Sequence, residues 1–482
     1  MARPKSVSTE IARPPLKILR QLGIVGLDTI EPIILSALAT ETPLLLIGAH
    51  GTAKSLLLSR LCEALDVPWR HYNASLVNYD DLIGYPLPSA TGELKFIQTP
   101  ASVWGAVAIF IDEISRARPD MLNRLFPIVH ERKVQGLPLP LLRFRWAAMN
   151  PPASPDAPVD NGYAGSEPLD AALADRFGFV IQIPSWQSMS ESDQLRIIHS
   201  NAEPISPKTA KSLRTVVQSI KEHLPAVEQA LGSVFAEYVR CVAQHAGRLQ
   251  LHLSGRRATM LYRNLLAVHT ACECAHPGTV PEDSSWLTLT ASLPQIASGA
   301  TIDHARLQLA HNEVWKTMQL DRADPRRLLA AQPDAVRRLL LAMNFPTLST
   351  QEFSGYAADA LAGLTPGGRH AIALHLMDSG AASRLIAAVA EQVAALFAEV
   401  AVAQNITMNI HSGSAQHQAW QEVLRVSASL SKSDPDRTLI ENLLMGQWSK
   451  GAIARVADVA QVLESWTSIR AFNRRGNSVR AA

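Results

Sequence analysis

Residues Gly48, Ala49, His50, Gly51, Thr52, Ala53, Lys54 and Ser55 form an unbroken run of mostly small residues that ends in a lysine and a hydroxyl. Such a run can hold a nucleoside triphosphate. Its backbone N–H groups wrap the phosphates, a following helix points its N-terminus at them, Lys54 reaches the β and γ oxygens, and the Ser55 hydroxyl ligates Mg²⁺. Ala53 stands where such loops usually carry glycine, and its Cβ is tolerable if φ stays negative there. A second pair, Asp112-Glu113, closes the apolar run Val107-Ala-Ile-Phe-Ile111. We assign Asp112 to the metal, directly or through water, and Glu113 to polarising the attacking water. Asn150 follows the run Phe144–Met149 and either holds that water, senses the γ-phosphate, or forms a turn ahead of Pro151. Arg176, in Leu173-Ala-Asp-Arg-Phe177, is either an arginine finger for a neighbouring subunit's nucleotide or a surface arginine paired with Asp175 or Asp170. Arg256 and Arg257 open a helical run, where the helix dipole disfavours a cation. That placement asks for an anionic partner, and the γ-phosphate in cis is one.

These residues need elements to hold them. Residues 17–187 alternate apolar β-rich runs with helical periodicity, which predicts an α/β domain with a parallel sheet and nucleotide at the carboxyl ends of its strands. Residues 188–275 carry helical periodicity over 213–220, 227–242 and 259–269 and read as a helical lid. Residues 276–470 read as a further helical domain that docks a partner, with an Ala-rich core helix within 380–399. Residues 1–16 and 471–482 read as a flexible and a disordered tail. Two segments break the alternation: 82–100 reads as a loop or hairpin inserted in a helix, with Lys95, and 131–140 as a hairpin, with Arg132 and Lys133. Residues 151–166 form a turn-rich loop long enough to suggest a contact role.

Taken in order, these motifs resemble the AAA+ ATPases, and within them the MoxR branch. The resemblance spans roughly residues 17 to 275. Ile24-Val25-Gly26 resembles the adenine-side element. Gly48–Ser55 looks like the phosphate loop, and Asp81-Leu-Ile-Gly84 with Gly92–Phe96 resembles the helix-2 insertion. Ile109–Ile114 resembles Walker B, Ala147–Asn150 sensor 1, and Leu173–Phe177 the finger motif. Ser254-Gly-Arg-Arg-Ala258 is similar to the sensor-2 motif, and leaves open whether Arg256 or Arg257 is the sensor. Asn73 resembles the polar switch residue that restrains the catalytic Glu. The resemblance implies an α/β P-loop NTPase core with a parallel sheet, an all-α lid and a further all-α C-terminal domain. It also implies ATP and Mg²⁺ as cofactors, a hexameric ring, and chaperone-like work on a protein partner, often one carrying a von Willebrand factor A domain.

Composition narrows the alternatives. The 482 residues carry a formal net charge of +2, which argues against nucleic acid as the partner and so against a nucleic-acid-directed motor. A non-hydrolysing scaffold would be expected to have lost part of the set Lys54, Asp112, Glu113, Asn150 and Arg176. No base-reading motif separates ATP from GTP. The four cysteines include Cys272 and Cys274 beside His276, which read as buried thiols and not as metal ligands. Few cysteines, no leader and no membrane-spanning apolar stretch predict a cytoplasmic protein.

Overall fold

In the computed structural model the described residues are 17–88, 94–152, 166–199, 203–249, 251, 253–321, 323–401 and 411–478. The expectations for residues 1–16 and most of the 151–166 loop fall outside them, as do the Lys95 side chain and the last four residues. The chain divides into two compact units, 1–315 and 316–482.

The first unit is built on five parallel strands: β1 (Leu44–Ile47), β2 (Trp69–Asn73), β5 (Ala108–Asp112), β8 (Phe144–Met149) and β9 (Phe179–Gln182), in the order β2-β5-β8-β1-β9. β1 and β8 are buried along their whole length, as continuous apolar runs are when helices cover both faces of a sheet. The register brings the chemistry to one edge. Ile47 pairs with Met149, Ile111 with Ala147, and Asn73 with Asp112. The residues that follow, Gly48, Glu113 and Asn150, therefore leave the sheet side by side, and a slip of one residue would turn every side chain to the other face. Helices α1 (Ile18–Gln21), α2 (Glu31–Thr40) and α3 (Lys54–Leu65) precede or follow β1, α4 (Tyr79–Ile83) follows β2, and α5 (Pro119–Glu131) follows β5. The two expected hairpins are β3 (Tyr85–Pro88) with β4 (Leu94–Ile97), and β6 (Lys133–Val134) with β7 (Leu137–Pro138).

After β8 come α6 (Ala171–Ala174), β9 and α7 (Glu191–Ile198), and then the lid. The stretches 213–220 and 227–242, read as separate helices, are one 42-residue helix, α8 (Pro207–Arg248), with Pro225 inside it. Pro225 is exposed, so the backbone carbonyl it deprives of a partner can face water. α9 (Gly255–Ala275) packs along α8, and α10 (Pro281–Thr290) packs on α9. The first compact unit runs past residue 276, to 315. Residues 276–315 belong to the first unit because they cover the outer strand of the sheet. The Val180 N–H donates to the Ala291 carbonyl (2.7 Å), and the Leu169 N–H, ahead of α6, to the Ala297 carbonyl (2.9 Å). α11 (His304–Met318) spans the boundary.

The second unit is all-helical among its described residues: α12 (Pro325–Ala330), α13 (Ala335–Ala342), α14 (Thr350–Ala362), α15 (Pro366–Asp378), α16 (Ala387–Ala401), α17 (Ala415–Ser429), α18 (Arg437–Ser449) and α19 (Val456–Ser478). α16 contributes Val393 and Val400 to the core of this unit, with Val389, Ala390, Leu396 and Phe397 packed against it, while most of its alanines are exposed. α19 runs to Ser478.

Each unit buries a neutral histidine. His311 Nδ1 is hydrogen-bonded with the Tyr238 hydroxyl (2.7 Å), and burial pushes the ring to about 4, against Asp283. His375 is pushed to about 4 by burial and then by Arg470. An unfolded histidine titrates at about 6.5, so between these values the unfolded chain binds more protons and stability is lost as pH falls. The melting temperature is expected to hold above neutrality and to drop from about pH 6.5 towards 4, with a shallower drop in His311→Gln or His375→Gln. A flat profile across that window would show that these rings are not buried and neutral.

Candidate nucleotide site

The phosphate loop joins β1 to α3 over a cavity of about 490 Å³ lined by His50 through Leu56, Asp112, Glu113, Met149, Asn150 and Ile197. Gly48 has to be glycine, because a Cβ there would lie 2.8 Å from Thr52 Oγ1 and 3.0 Å from Ile183 Cβ. Gly51 takes φ +76°. Ala53 does not keep the negative φ expected of it. It caps α3 at φ 59°, in the left-handed region, where a Cβ costs about 1–2 kcal/mol. Ala53→Gly is expected to relieve this strain and, after the added chain entropy of glycine, to stabilise the first unit by about 0.5 kcal/mol in urea denaturation. A loss of stability would show that the loop is right-handed at this residue in solution.

Lys54 Nζ donates to the carbonyls of Gly48 (2.7 Å) and Ala49 (2.8 Å) and lies 3.5 Å from Asn150 Oδ1. Burial pulls its ammonium below the ordinary lysine value, and Asp112 and Glu113 oppose that pull. The ammonium is thus curled over its own loop, where a phosphate oxygen competes with two neutral carbonyls and wins on charge.

Ser55 Oγ donates to Asp112 Oδ2 (3.0 Å). Burial raises the Asp112 carboxyl, but His71, the Glu113 N–H and Ser55 together outweigh it and hold it below the usual aspartate range. Asp112 is therefore an anion throughout the physiological range. Two carboxylates, Asp112 and Glu113, share the cavity with Lys54, so a polyphosphate there is better accommodated together with a cation. The adjoining hydroxyl and carboxylate are the hard oxygen donors that Mg²⁺ takes. Glu113 sits at φ 53°, a strained conformation for a non-glycine residue and one that clusters at functional sites. Its carboxylate is held by Asn73 Nδ2 and Ser75 Oγ, both 3.4 Å from Oε2, and by Arg116, 3.7 Å from Oε1. Asn150 is buried, lies 3.2 Å from His50 Nε2, and has its carbonyl bonded by Ser166 Oγ (3.0 Å).

The sheet and loop bring together Lys54, Ser55, Asp112, Glu113 and Asn150. Other expected residues lie elsewhere. Ile24 and Val25 are buried and do not line the cavity; Ile24 sits in the core beneath the sheet. Ile197 on α7 lines it instead, and only a folded chain could bring that exposed-looking helix to the loop. His71, which faces the Asp112 carboxylate at 3.6 Å, and Ser75 were likewise not anticipated. Arg257 is also outside the cavity, and 1% exposed. The anion its helix position asks for is Asp175, whose Oδ1 lies 3.1 Å from Nε. Arg256 is exposed, 3.8 Å from the other Asp175 oxygen.

Arg176 does not line its own subunit's cavity either. It donates to the Ala172 carbonyl (3.1 Å) and lies over the Phe126 ring (5.3 Å). Among the described residues it has no carboxylate partner. Asp170 caps α6 through the N–H groups of Ala172 and Leu173, and Asp175 faces Arg256 and Arg257. Both acids nearest to it in sequence are thus engaged, and among the described residues no carboxylate pairs with Arg176.

Residues 43–141 match the family of AAA domains, dynein-related subfamily. That segment runs from β1 through the second hairpin, so it holds the phosphate loop, the acidic pair and both hairpins. The parallel-sheet core is an AAA domain. The helical remainder follows it as an all-α lid and an all-α C-terminal region. The crystal structure of a candidate ATPase from Cytophaga hutchinsonii is similar at 18% identity and a TM-score of 0.42, over 61% of this chain and 92% of that one. No curated protein matches the chain. Among the described residues no helix is long and apolar enough to cross a membrane, and no three metal-binding side chains cluster.

Proposed function

We propose that this protein is a Mg²⁺-dependent ATPase of the MoxR branch, active at subunit interfaces of an oligomeric ring and coupled to remodelling or activation of a protein partner. The observation that carries the reading is the cavity that joins Lys54, Ser55, Asp112, Glu113 and Asn150, while Arg176, with no carboxylate partner among the described residues, lies outside it. Lys54 and the loop N–H groups bind the phosphates, and Ser55 and Asp112 would hold the metal, which would supply charge neutralisation of the phosphates when bound. Glu113 takes the proton of the attacking water, and Asn150 orients that water or reads the γ-phosphate. Arg176 meets the phosphate of the adjoining subunit. The partner, including one with a von Willebrand factor A domain, docks through the helical second unit.

Steady-state hydrolysis across a protein concentration series tests this. Turnover per subunit is expected to rise with concentration as interfaces form. Turnover that is independent of concentration down to dilutions where the protein is monomeric would refute the shared site.

A further inference from the structure

Each of the five N–H groups of Arg257 has an acceptor. Nε donates to Asp175 Oδ1 (3.1 Å), Nη1 to the carbonyls of Gly178 (3.2 Å) and Ser292 (3.4 Å), and Nη2 to those of Asp175 (3.2 Å) and Phe177 (2.9 Å). Four of these acceptors lie in 175–178, the turn that carries Arg176. Asn264, two turns further along α9, grips the same turn by donating to the Gly178 carbonyl (2.9 Å). A guanidinium that turned from here to a phosphate would leave several buried carbonyls without donors, a cost that one phosphate contact does not repay.

We propose that Arg257 is a positioning residue for the neighbouring subunit's reaction. Through the 175–178 turn it fixes Arg176 to the lid helix α9. It also occupies the carboxylate of Asp175, the residue next to that finger in the chain. The orientation of one subunit's lid thereby sets the finger offered to the next. This rests on the finger reading of Arg176. It differs from a sensor in cis, in which Arg257 would touch its own subunit's nucleotide.

Subunit mixing separates the two. Arg257→Lys is expected to lower kcat by about 10- to 100-fold with KM for ATP within about two-fold, because a displaced finger affects the transition state and not ground-state binding. Mixed in equal amounts with Glu113→Gln, which keeps its finger but cannot hydrolyse, about a quarter of the sites in a random ring pair a variant phosphate loop with an intact finger. Turnover should recover towards that fraction of wild type. No recovery, while the parallel mixture of Arg176→Ala with Glu113→Gln does recover, would place the defect in cis and overturn the inference. Failure of both mixtures would overturn the finger reading itself and the inference with it. If Arg257→Lys loses its cooperative melt, Asp175→Asn replaces it. The expected result is the same donor-side loss and the same recovery on mixing, and normal turnover would overturn the proposal.

Discussion

Glu113→Gln is expected to bind ATP with an affinity within about two-fold of wild type and to hydrolyse it about 10³-fold more slowly, the range that removal of a positioned general base produces. The substitution keeps the length and planarity of the side chain. The strained backbone at 113, fixed by the Glu113 N–H to Asp112 Oδ1 bond (2.9 Å), is unaffected. Asp112, Ser55 and Lys54 are untouched, so phosphate and metal binding persist. What is lost is the proton acceptor beside the γ-phosphate. Rapid-quench hydrolysis alongside calorimetric ATP binding checks both halves. Normal turnover would remove Glu113 from the role of base. Loss of binding would show that it holds the metal, a role assigned here to Asp112.

Much of this site is legible in the sequence because its chemistry is local. A small-residue loop between an apolar run and a helix has few other uses, and two acids closing a buried strand need a cation. The parallel sheet follows from the alternation of such runs. What could not be read depends on contacts distant in sequence. Ile197 lines the cavity only because α7 folds back over the loop, and residues 276–315 join the first unit only because β9 needs its outer edge covered. The φ of Ala53 is invisible in composition. At Arg257 the dipole argument called for an anion, and the carboxylate that tertiary packing places beside it is that of Asp175. The chemistry of a position was thus readable where its partners are neighbours in the chain, and ambiguous where two partners of like charge compete from a distance.

Arg176→Ala is expected to lower kcat by about 10³-fold or more, as loss of an arginine finger does, while ATP affinity and oligomeric state remain those of wild type. The argument rests on charge. A guanidinium paired with a carboxylate has little field left to offer a developing phosphoryl charge. Here Asp170 is used as a helix cap and Asp175 faces Arg256 and Arg257, so among the described residues Arg176 meets a carbonyl and the Phe126 ring and no carboxylate. The ring holds the plane of the guanidinium without cancelling its charge. His130 registers the same local field. Its ring is held below the ordinary histidine value by partial burial first and then by the like charges of Arg176 and Arg256. Arg176→Lys is the sharper test. It keeps the charge but loses the planar two-pronged donor set, so it should recover less than about a tenth of the lost rate if the finger bridges two phosphate oxygens. Full recovery by lysine would mean that a point charge suffices, and a normal rate in Arg176→Ala would mean that the neighbour's phosphate never meets this residue.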